Sequence, residues 1–421
     1  MATIRKIWAD EILDSRGFPT IRCSIMLDND LIVQSSAPSG ASVGKLEALE
    51  LRDQDMKRYF GKGVLKAIFN VEKIIAPELI GKEPDLFLID KLMIDLDGTK
   101  NKSKLGANAI LAVSMAVARA QAKSLSLYLY QIVAKYFDNN EILKIPNAMF
   151  NILNGGVHAS NGICFQEFMI MPIREKSFAL NLQIACIIYH NLKNILHKED
   201  YSIGIGDEGG FAPRIVKDGD CGTVAALNFL VKAVEKSGFV LGKDVVFCLD
   251  VAATQFYDEK EKKYILKNKK MHSDDLINFY HDLISHYPIY SIEDGLAEQD
   301  WQGWKNMTEE IGTKVQLVGD DIFVTNIDLI HKGVVGGVAN AVLIKPNQIG
   351  TITETINAIK LCKNSKYKTI ISHRSGDTCD SFIADLAVGA NCQQFKSGAC
   401  ARGERVSKYN RLLEIEKQII S

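Results

Sequence analysis

Short apolar runs that end in a charged or basic residue recur in the second half of the chain. Five of these runs are rich in Val, Ile and Leu, and they end at Asp250, Glu293, Asp320, Lys345 and His373. A run that is apolar at nearly every position predicts a strand buried on both faces of a parallel sheet. The end points lie 43, 27, 25 and 28 residues apart, and a repeat of about 25 residues suits one strand, one helix and two short loops. The pattern predicts a β/α barrel.

The carboxyl ends of these strands should bring their charged residues together, because a parallel barrel collects its functional groups at one mouth. Buried carboxylates usually persist where a cation or hydrogen bonds compensate for lost hydration. Asp250, Glu293 and Asp320 therefore suit a hard cation with oxygen ligands, above all Mg²⁺, although three separate salt bridges are the alternative. Asp321 would point the other way along its strand, so we do not assign it as a ligand. A weaker run, 392–395, delivers Lys396 to the same mouth.

Several further residues suggest proton transfer and anion binding. A lysine in a dry pocket near metal ions should have a lowered pKa, so Lys345 could accept a proton. Arg374 offers the planar fork that suits phosphate. The glycine-rich segment 40–45 lacks P-loop spacing, and we interpret it as a mobile loop or an ordinary connection. His158 is either a loop histidine or a substrate contact, and the acids of 206–211 belong either to a tight turn or to a site.

The first half of the chain predicts a compact α+β domain. Residues 21–27 and 31–35 flank a polar turn and indicate a β-hairpin, while 45–58 and 107–128 have helical spacing. The polar stretch 138–141 is the candidate boundary, which gives domains 1–138 and 139–421. A final helix is expected over 405–418.

Composition excludes some classes of protein. The 421 residues include 50 basic and 51 acidic side chains, which gives no electrostatic case for binding nucleic acid or a membrane surface. No apolar run approaches the roughly 20 residues of a membrane span, and the first residues do not suggest a signal peptide. Nine cysteines without a Cys-x-x-Cys pair argue against a disulfide framework and a zinc site. We therefore expect a cytoplasmic enzyme with reduced thiols.

These residues belong to a series of motifs that resembles the enolase family along the whole chain. The series runs in order from Asp14-Ser15-Arg16-Gly17 to Lys408-Tyr409-Asn410. Between them stand Ser39-Gly40-Ala41-Ser42, Asn154-Gly155-Gly156-Val157-His158, Gln166-Glu167-Phe168, Gly206-Asp207-Glu208-Gly209-Gly210-Phe211, Leu249-Asp250-Val251, Ser291-Ile292-Glu293-Asp294, Gly319-Asp320-Asp321, Lys345-Pro346-Asn347-Gln348 and Ser372-His373-Arg374-Ser375-Gly376.

The resemblance implies a reaction and a fold. The reaction is the reversible dehydration of 2-phospho-D-glycerate to phosphoenolpyruvate in glycolysis and gluconeogenesis, with two Mg²⁺ per subunit stabilising an enediolate and the second ion arriving with substrate. The fold is an N-terminal α+β domain followed by an irregular (β/α)8 barrel, ββαα(βα)6, with one antiparallel strand. A Lys or His base used with Mg²⁺ is the established pattern of this superfamily.

The resemblance also implies roles for individual residues. Lys345 is the base that removes the C2 proton, and Glu208 is the acid that helps the C3 hydroxyl leave. Glu167 and His158 belong with the catalytic groups. The residues that contact the substrate are Gln166, His373, Arg374, Ser375 and Lys396, of which Arg374 and Ser375 hold the phosphate and Lys396 the carboxylate. Asp250, Glu293 and Asp320 hold the first Mg²⁺, and Ser39 completes the coordination of the second Mg²⁺.

Some positions depart from the pattern of the family and indicate a diverged copy of the bacterial type. They are Phe18, Val43, Val157, Thr254-Gln255, Cys379 and Cys400. None removes a catalytic group that the resemblance implies, but Val43 and Val157 lie near the loops that close on substrate. The alternatives are an enolase-like paralogue that acts on a related phosphonate or phospho-acid, and a second role on the cell surface or in a secreted fraction, binding plasminogen. The chain ends in Ser421 rather than in the lysine typical of that mode.

The resemblance finally implies a homodimer, or a higher oligomer such as an octamer. The family commonly carries Glu at the position of Arg22 and Arg at the position of Glu414, and these two groups pair across the subunit interface. Both signs are reversed here, which a retained contact would require, so we expect Arg22 to face Glu414 of the second subunit. The alternative is coincidental drift at two exposed sites.

Overall fold

A computed structural model describes residues 2–40, 44, 46–137, 142–159, 161–216, 221–267 and 269–420. The chain begins with a three-stranded antiparallel sheet, followed by five helices. The strands are β1 (Ile4–Leu13), β2 (Pro19–Leu27) and β3 (Ile32–Ser36), and the helices are α1 (Leu65–Asn70), α2 (Ala76–Leu79), α3 (Leu86–Asp97), α4 (Ala107–Ser124) and α5 (Leu129–Tyr136). The predicted α+β unit and its hairpin are confirmed.

The sheet and α4 bury their apolar sides against each other. Ile21, Cys23 and Ile25 alternate along β2 and are fully buried, as the two-residue period of a strand requires. Helix α4 is rich in alanine and buries nearly all its residues, so its backbone can approach the sheet closely.

The rest of the chain closes an eight-stranded barrel in the order β10-β11-β12-β13-β14-β4-β5-β6. Its elements are β4 (Asn147–Asn154), β5 (Glu167–Pro172), α6 (Phe178–Lys198), α7 (Thr223–Lys236), β6 (Val245–Asp250), the small sheet β7 (Tyr257–Asp258), β8 (Lys263–Leu266) and β9 (Lys269–Met271), α8 (Ser273–His286), β10 (Ile289–Glu293), α9 (Trp301–Ile311), β11 (Gln316–Gly319), α10 (Ile327–Gly336), β12 (Ala341–Ile344), α11 (Pro346–Ile349), α12 (Ile352–Asn364), β13 (Lys368–Ser372), α13 (Phe382–Gly389), β14 (Gln394–Lys396) and α14 (Gly403–Ile420).

Strand β5 makes this barrel irregular. It pairs antiparallel with both β4 and β6, whereas the other adjacent strands pair in parallel. Two strands are followed by two helices before the β/α units begin, so the predicted ββαα(βα)6 order and the antiparallel strand are confirmed.

Barrel strands bury residues on both faces, as their continuous apolar character predicts. In β6, Val246 and Cys248 belong to a small apolar cluster made by barrel strands alone, whereas Val245, Phe247 and Leu249 pack in the main core. This alternation places the small cluster inside the barrel and the main core between strands and helices. No described helix is long and apolar enough to cross a membrane.

The N-terminal domain lies against the barrel through bonded contacts. Arg119 of α4 forms an ion pair with Asp380 at 2.7 Å, and Lys102 forms one with Glu354 at 2.9 Å. Ser39 exchanges backbone hydrogen bonds with Gly376, at 2.7 and 2.9 Å. Residues from both domains therefore approach the end of the barrel near β13.

Two expectations about helices need correction. The expected helix 45–58 does not form over its described residues, because the backbone there bonds to other segments: Ala48 N donates to Gln348 O and Leu49 N to Asn101 O. Tertiary hydrogen bonds have overridden local propensity. The helix expected over 107–128 ends at Ser124. The expected domain boundary at 138–141 lies outside the described residues.

The expectation of reduced thiols is wrong for one pair. Cys164 and Cys221 form a disulfide, with Cα atoms 5.1 Å apart and a sequence separation of 57 residues. The backbone N of Cys164 also donates to Cys221 O at 3.0 Å, so folding brings the two loops together in a way that spacing cannot indicate. Seven other cysteines are free.

Reduction of this disulfide should lower stability. A cross-link over a loop of this length typically contributes about 2–4 kcal/mol, chiefly by restricting the unfolded chain. We expect dithiothreitol to lower the urea midpoint of the wild type, and Cys164→Ser to have the lowered midpoint with or without reductant. Cys186→Ser, which changes a free cysteine, is the control. A wild-type midpoint unaffected by reductant would contradict the role of the bond.

Candidate active site

A polar cavity opens at the carboxyl ends of the barrel strands. Among its lining residues are His158, Gln166, Glu167, Glu208, Asp250, Gln255, Asp294, Asp320, Asp321, Lys345, His373, Arg374, Ser375 and Lys396. Eleven of these come from the thirteen site residues that the sequence singled out. Glu293 contacts the lining through Lys396, and Ser39 lies elsewhere.

Strand register explains why these side chains meet. Glu293 at the end of β10 lies beside Asp250 at the end of β6, and Asp250 lies beside Glu167 at the start of antiparallel β5. Lys396 at the end of β14 lies beside Ser372 on β13, one residue before His373. The reversal of β5 is what brings its first residue to the same mouth as the ends of the parallel strands.

Lys396 is buried among three carboxylates. Its Nζ lies 2.8 Å from Glu293, 3.1 Å from Asp250 and 3.1 Å from Glu167. Burial alone would lower the pKa of Lys396, but the surrounding carboxylates outweigh it, so that pKa lies well above its ordinary value. Burial and the charge of Asp250 raise the pKa of Glu293 well above its ordinary value. One ammonium group thus forms ion pairs with three carboxyl groups.

Lys345 forms a short ion pair with Asp320. Burial lowers the pKa of Lys345, but the charge of Asp320 outweighs burial, so the pKa lies above its ordinary value. The lowered pKa was expected for Lys345 near metal ions, and it stays a prediction for the site with cations bound.

The pKa values of the Glu167 and Glu208 carboxyl groups are shifted in opposite directions. Burial, and then the neighbouring Glu208, raise the pKa of Glu167 well above its ordinary value. Burial also raises the pKa of Glu208, but His158 and His373 outweigh it and leave that pKa well below its ordinary value. His158 Nδ1 lies between the two, 3.9 Å from Glu167 Oε1 and 3.8 Å from Glu208 Oε1. Glu167 therefore retains a proton more readily than Glu208 does.

Arg405 of α14 fixes the tautomer of His373. Its Nη1 lies 2.6 Å from His373 Nδ1, and because guanidinium can only donate, the imidazole proton belongs on Nε2. Nε2 lies 3.6 Å from Glu208 Oε2. Burial chiefly lowers the pKa of His373 to about 4, so the ring is neutral at neutral pH and presents an N–H toward Glu208.

The loop that carries Glu208 is held close to β14. Ala399 N donates to Glu208 O at 2.9 Å, and Arg405 Nη2 donates to Asp207 O at 3.1 Å. Gly398 permits this approach: its φ is +66°, and a Cβ there would lie 2.5 Å from Glu208 O. The Glu208 carboxylate also accepts a hydrogen bond from Asn151 Nδ2 at 3.1 Å.

Arg374 and Ser375 occupy another side of the cavity. Arg374 is almost completely buried, and its guanidinium contacts Glu47 through Nη1 at 3.0 Å and Nη2 at 3.3 Å. Nη1 also donates to Asn347 Oδ1 at 3.1 Å. A planar fork held in this way suits an anion such as phosphate.

Two site expectations fit the structure less well. Ser39 is buried, but its hydroxyl donates to Glu50 at 3.0 Å and accepts from Arg52 at 2.8 Å, away from the cavity lining. Asp321 lines the cavity instead of pointing away, because β11 ends at Gly319 and strand alternation no longer applies. Burial, and then Asp320, raise the pKa of Asp321 to about 7.

The residues present fit a hard cation. Asp294, Asp320 and Asp321 offer carboxylate oxygens within 4.8 Å of one another, and a second group consists of a ring nitrogen of His158 with carboxylate oxygens of Glu167 and Glu208. Several of these acids have pKa values raised by burial and by each other, so the site carries more buried carboxyl groups than its two lysines neutralise. An oxygen-rich set with surplus negative charge suits Mg²⁺.

Sequence reasoning missed several supporting residues. Asp294 accepts hydrogen bonds from the backbone N of Asp320 and Asp321, at 2.9 and 3.0 Å. Gln348 donates to Asp320 at 2.9 Å. Asp294 and Gln348 stand inside motifs already recognised, which was a usable signal. Arg405 lies in an amphipathic helix far along the chain and gave no local signal.

Two family models together match nearly the whole chain. The enolase N-terminal domain matches residues 4–133, and the enolase C-terminal TIM barrel domain matches residues 141–421. These matches agree with the sheet-and-helix domain, the closed irregular barrel and the carboxylate-lined mouth described above. The chain therefore belongs to the enolase family.

Proposed function

We propose that the protein catalyses the reversible dehydration of 2-phosphoglycerate to phosphoenolpyruvate. The observation that carries the proposal is the arrangement of one cavity: an amine, Lys345, and a carboxyl pair, Glu167 and Glu208, line it together with Arg374 and a surplus of buried carboxylates. This set can remove a proton, protonate a leaving hydroxyl and hold an anionic substrate. The direct test is the ultraviolet absorbance of the enol product when purified protein is given 2-phosphoglycerate and Mg²⁺.

Lys345 is the proposed base for the C2 proton. It can accept a proton only after its ion pair with Asp320 is released, since that pair keeps the ammonium charged. Asp320 is also one of the three carboxylates, with Asp250 and Glu293, that would hold the first Mg²⁺. Bound Mg²⁺ would supply positive charge where the substrate carboxylate gains negative charge.

Glu208 is the proposed acid for the C3 hydroxyl. The pKa of Glu208 is lowered and that of Glu167 is raised, so Glu208 needs a proton before it can donate one. His158 lies within 4 Å of both carboxyl groups and could pass it between them. The neutral His373, with its N–H directed at Glu208, favours the ionised form that remains after the donation.

Arg374 and Ser375 are proposed to hold the substrate phosphate, and Lys396 its carboxylate. Arg374 presents a buried planar fork, and Lys396 presents a buried ammonium beside the carboxylates that would hold the cation. Gln166 donates to Asp250 at 3.2 Å, which fixes that acid on the side of the cavity formed by β5. The cavity thus has a phosphate end and a carboxylate end.

A related phospho-acid is a second candidate substrate. Gln255 lines the cavity at a position where the family commonly carries Glu, and Val157 is 56% exposed on the loop that carries His158. The departure at Gln255 changes the polarity of the cavity lining without removing a proposed catalytic group. Comparing kcat/KM for 2-phosphoglycerate with the value for a phosphonate analogue distinguishes the two substrates.

We also propose a homodimer with Arg22 facing Glu414 of the second subunit. Within one chain Arg22 pairs with Asp10 at 3.3 Å and Glu414 with Arg411 at 2.9 Å, yet their side chains remain 37% and 63% exposed. A groove lined by residues of β3, α4 and α14 runs near Glu414, and its apolar Ile32 and Tyr128 are half exposed. An exposed apolar groove beside charged groups suits a subunit interface.

Variants of the base and the acid should separate the two half-reactions. Lys345→Ala should abolish exchange of the C2 hydrogen with deuterated solvent, because it removes the proposed base. Glu208→Gln should retain some exchange while losing net dehydration, because only protonation of the leaving group is lost. Proton NMR of the substrate measures the exchange, and Lys270→Ala on the surface is the control. Equal loss of exchange in both folded variants would show that the roles are wrong.

Carboxylate ligands should be necessary for metal-dependent activity. Asp250→Asn, Glu293→Gln and Asp320→Asn should each weaken Mg²⁺ binding and reduce kcat/KM by about a hundredfold or more. Calorimetric titration with Mg²⁺ measures the first effect independently of turnover, and Asp258→Asn in the β7 turn is the control. Full activity after exhaustive chelation would exclude the metal-assisted mechanism.

A charge-reversal cycle tests the dimer contact. Arg22→Glu should weaken the dimer, because it places glutamate opposite Glu414, and adding Glu414→Arg should restore it. We expect a coupling free energy of about 0.5–3 kcal/mol in sedimentation measurements over a range of dilution. Reversed polarity would also disfavour mixed dimers with a subunit of the usual polarity. Strictly additive effects would assign the two substitutions to drift.

A further inference from the structure

Glu47 stands where the N-terminal domain meets the barrel mouth. Its side chain is 4% exposed, although it lies in an irregular segment between β3 and α1. Its Oε2 accepts from Arg374 Nη1 at 3.0 Å, and its Oε1 accepts from Arg374 Nη2 at 3.3 Å. Both terminal nitrogens of the guanidinium therefore contact one carboxylate, which fixes the plane of the fork.

The Glu47 carboxylate has further partners that fix its own position. Oε1 also accepts from Gly44 N at 3.1 Å and lies 3.4 Å from Gln348 Nε2. The backbone on either side is bonded as well: Glu47 N donates to Gly44 O at 3.1 Å, and Ala48 N donates to Gln348 O at 2.8 Å. Glu47 is therefore part of a hydrogen-bond network that fixes both its side chain and its backbone.

The same hydrogen-bond network extends to the proposed base and to a proposed metal ligand. Gln348 Nε2 donates to Asp320 Oδ1 at 2.9 Å, and Gln348 Oε1 accepts from Thr325 Oγ1 at 2.8 Å. Thr325 Oγ1 in turn accepts from Lys345 N at 2.9 Å. A chain of hydrogen bonds therefore joins Glu47 to Asp320 and to the backbone of Lys345.

We propose that Glu47 is a positioning residue that orients Arg374 for the phosphate of the substrate. The inference rests on the proposed function, since it assigns Arg374 to the phosphate. Glu47 contributes from the N-terminal domain, so the phosphate end of the cavity is complete only when that domain is seated on the barrel. The Glu47 carboxylate supplies charge and two aligned oxygens, which the fork needs in order to stay in one plane.

A competing interpretation is that Glu47 occupies the phosphate site and must leave before substrate binds. A carboxylate acting in that way should be able to swing out, whereas Glu47 is held by Gly44, Gln348 and the adjacent backbone. The two interpretations predict opposite changes in phosphate affinity when Glu47 is replaced. Removal of an orienting group weakens phosphate binding, whereas removal of a competitor strengthens it.

The test compares Glu47→Gln with Glu47→Asp. Glutamine keeps the shape but loses the charge and one acceptor, so we expect KM for 2-phosphoglycerate to rise about tenfold to a hundredfold, the range observed when an outer partner of a binding group is removed. The inhibition constant of inorganic phosphate should rise by the same factor, and kcat should change less than KM. Aspartate keeps the charge on a shorter stem and should give an intermediate rise.

Glu354→Gln is the matched control. Glu354 also joins the two domains through an ion pair, with Lys102 at 2.9 Å, but it lies outside the cavity lining among the described residues. We expect this variant to leave KM and phosphate binding unchanged. An equal effect of Glu354→Gln would show that general loosening of the domain contact is responsible, and would overturn the inference.

Binding of inorganic phosphate, measured by calorimetry, separates this inference from the proposed reaction. A wild type that binds phosphate but does not convert 2-phosphoglycerate would contradict the reaction alone. Unchanged phosphate affinity in Glu47→Gln would overturn the positioning role, and tighter binding would favour the competing interpretation. If Glu47→Gln does not fold, the KM and the phosphate affinity of Glu47→Asp decide between the two interpretations. A wild type with no affinity for phosphate would also overturn the inference.

Discussion

The structure depends on an excess of buried negative charge at one end of the barrel. Glu167, Asp250, Glu293 and Asp320 are each less than a tenth exposed, and isolated carboxylates so placed would be strongly destabilised. Lys396 and Lys345 offset part of this repulsion, and burial together with the remaining repulsion raises the pKa of Glu167. The negative charge that remains uncompensated suits a divalent cation.

The same constraint explains why the surroundings are so heavily hydrogen-bonded. Both carboxylate oxygens of Asp294 accept hydrogen bonds from the backbone of the turn at Asp320. The fully buried Arg405 forms hydrogen bonds with His373, Asp207 and Ser375. Arg405 also forms ion pairs with Glu404 at 3.3 Å and with Asp377 at 3.8 Å. Supports of this kind keep charged groups apart at fixed distances, because the low local dielectric makes each displacement costly.

The barrel and most of its site could be predicted from the sequence, because each apolar strand ends in the charged residue that matters. Asp250, Lys345 and Lys396 needed only the period of the strands and the rule that parallel strand ends converge. The failures occur where distant segments decide the local structure. Residues 46–58 have helical spacing but bond to Gln348 and Asn101, and Cys164 meets Cys221 only because two loops fold together. The lowered pKa of Lys345 near metal ions stays a prediction, because Lys345 here pairs with Asp320, which is itself a proposed metal ligand.

The division of labour between the two domains follows from these contacts. The groups proposed for proton transfer, Lys345, Glu208 and Glu167, all belong to the barrel and are held by barrel residues. Arg374 also belongs to the barrel, but its orientation comes from Glu47 in the N-terminal segment. Changes in how the domains are seated would therefore act on substrate binding before they act on proton transfer. Such an arrangement would allow recognition of the phosphate to vary while the barrel keeps its chemistry.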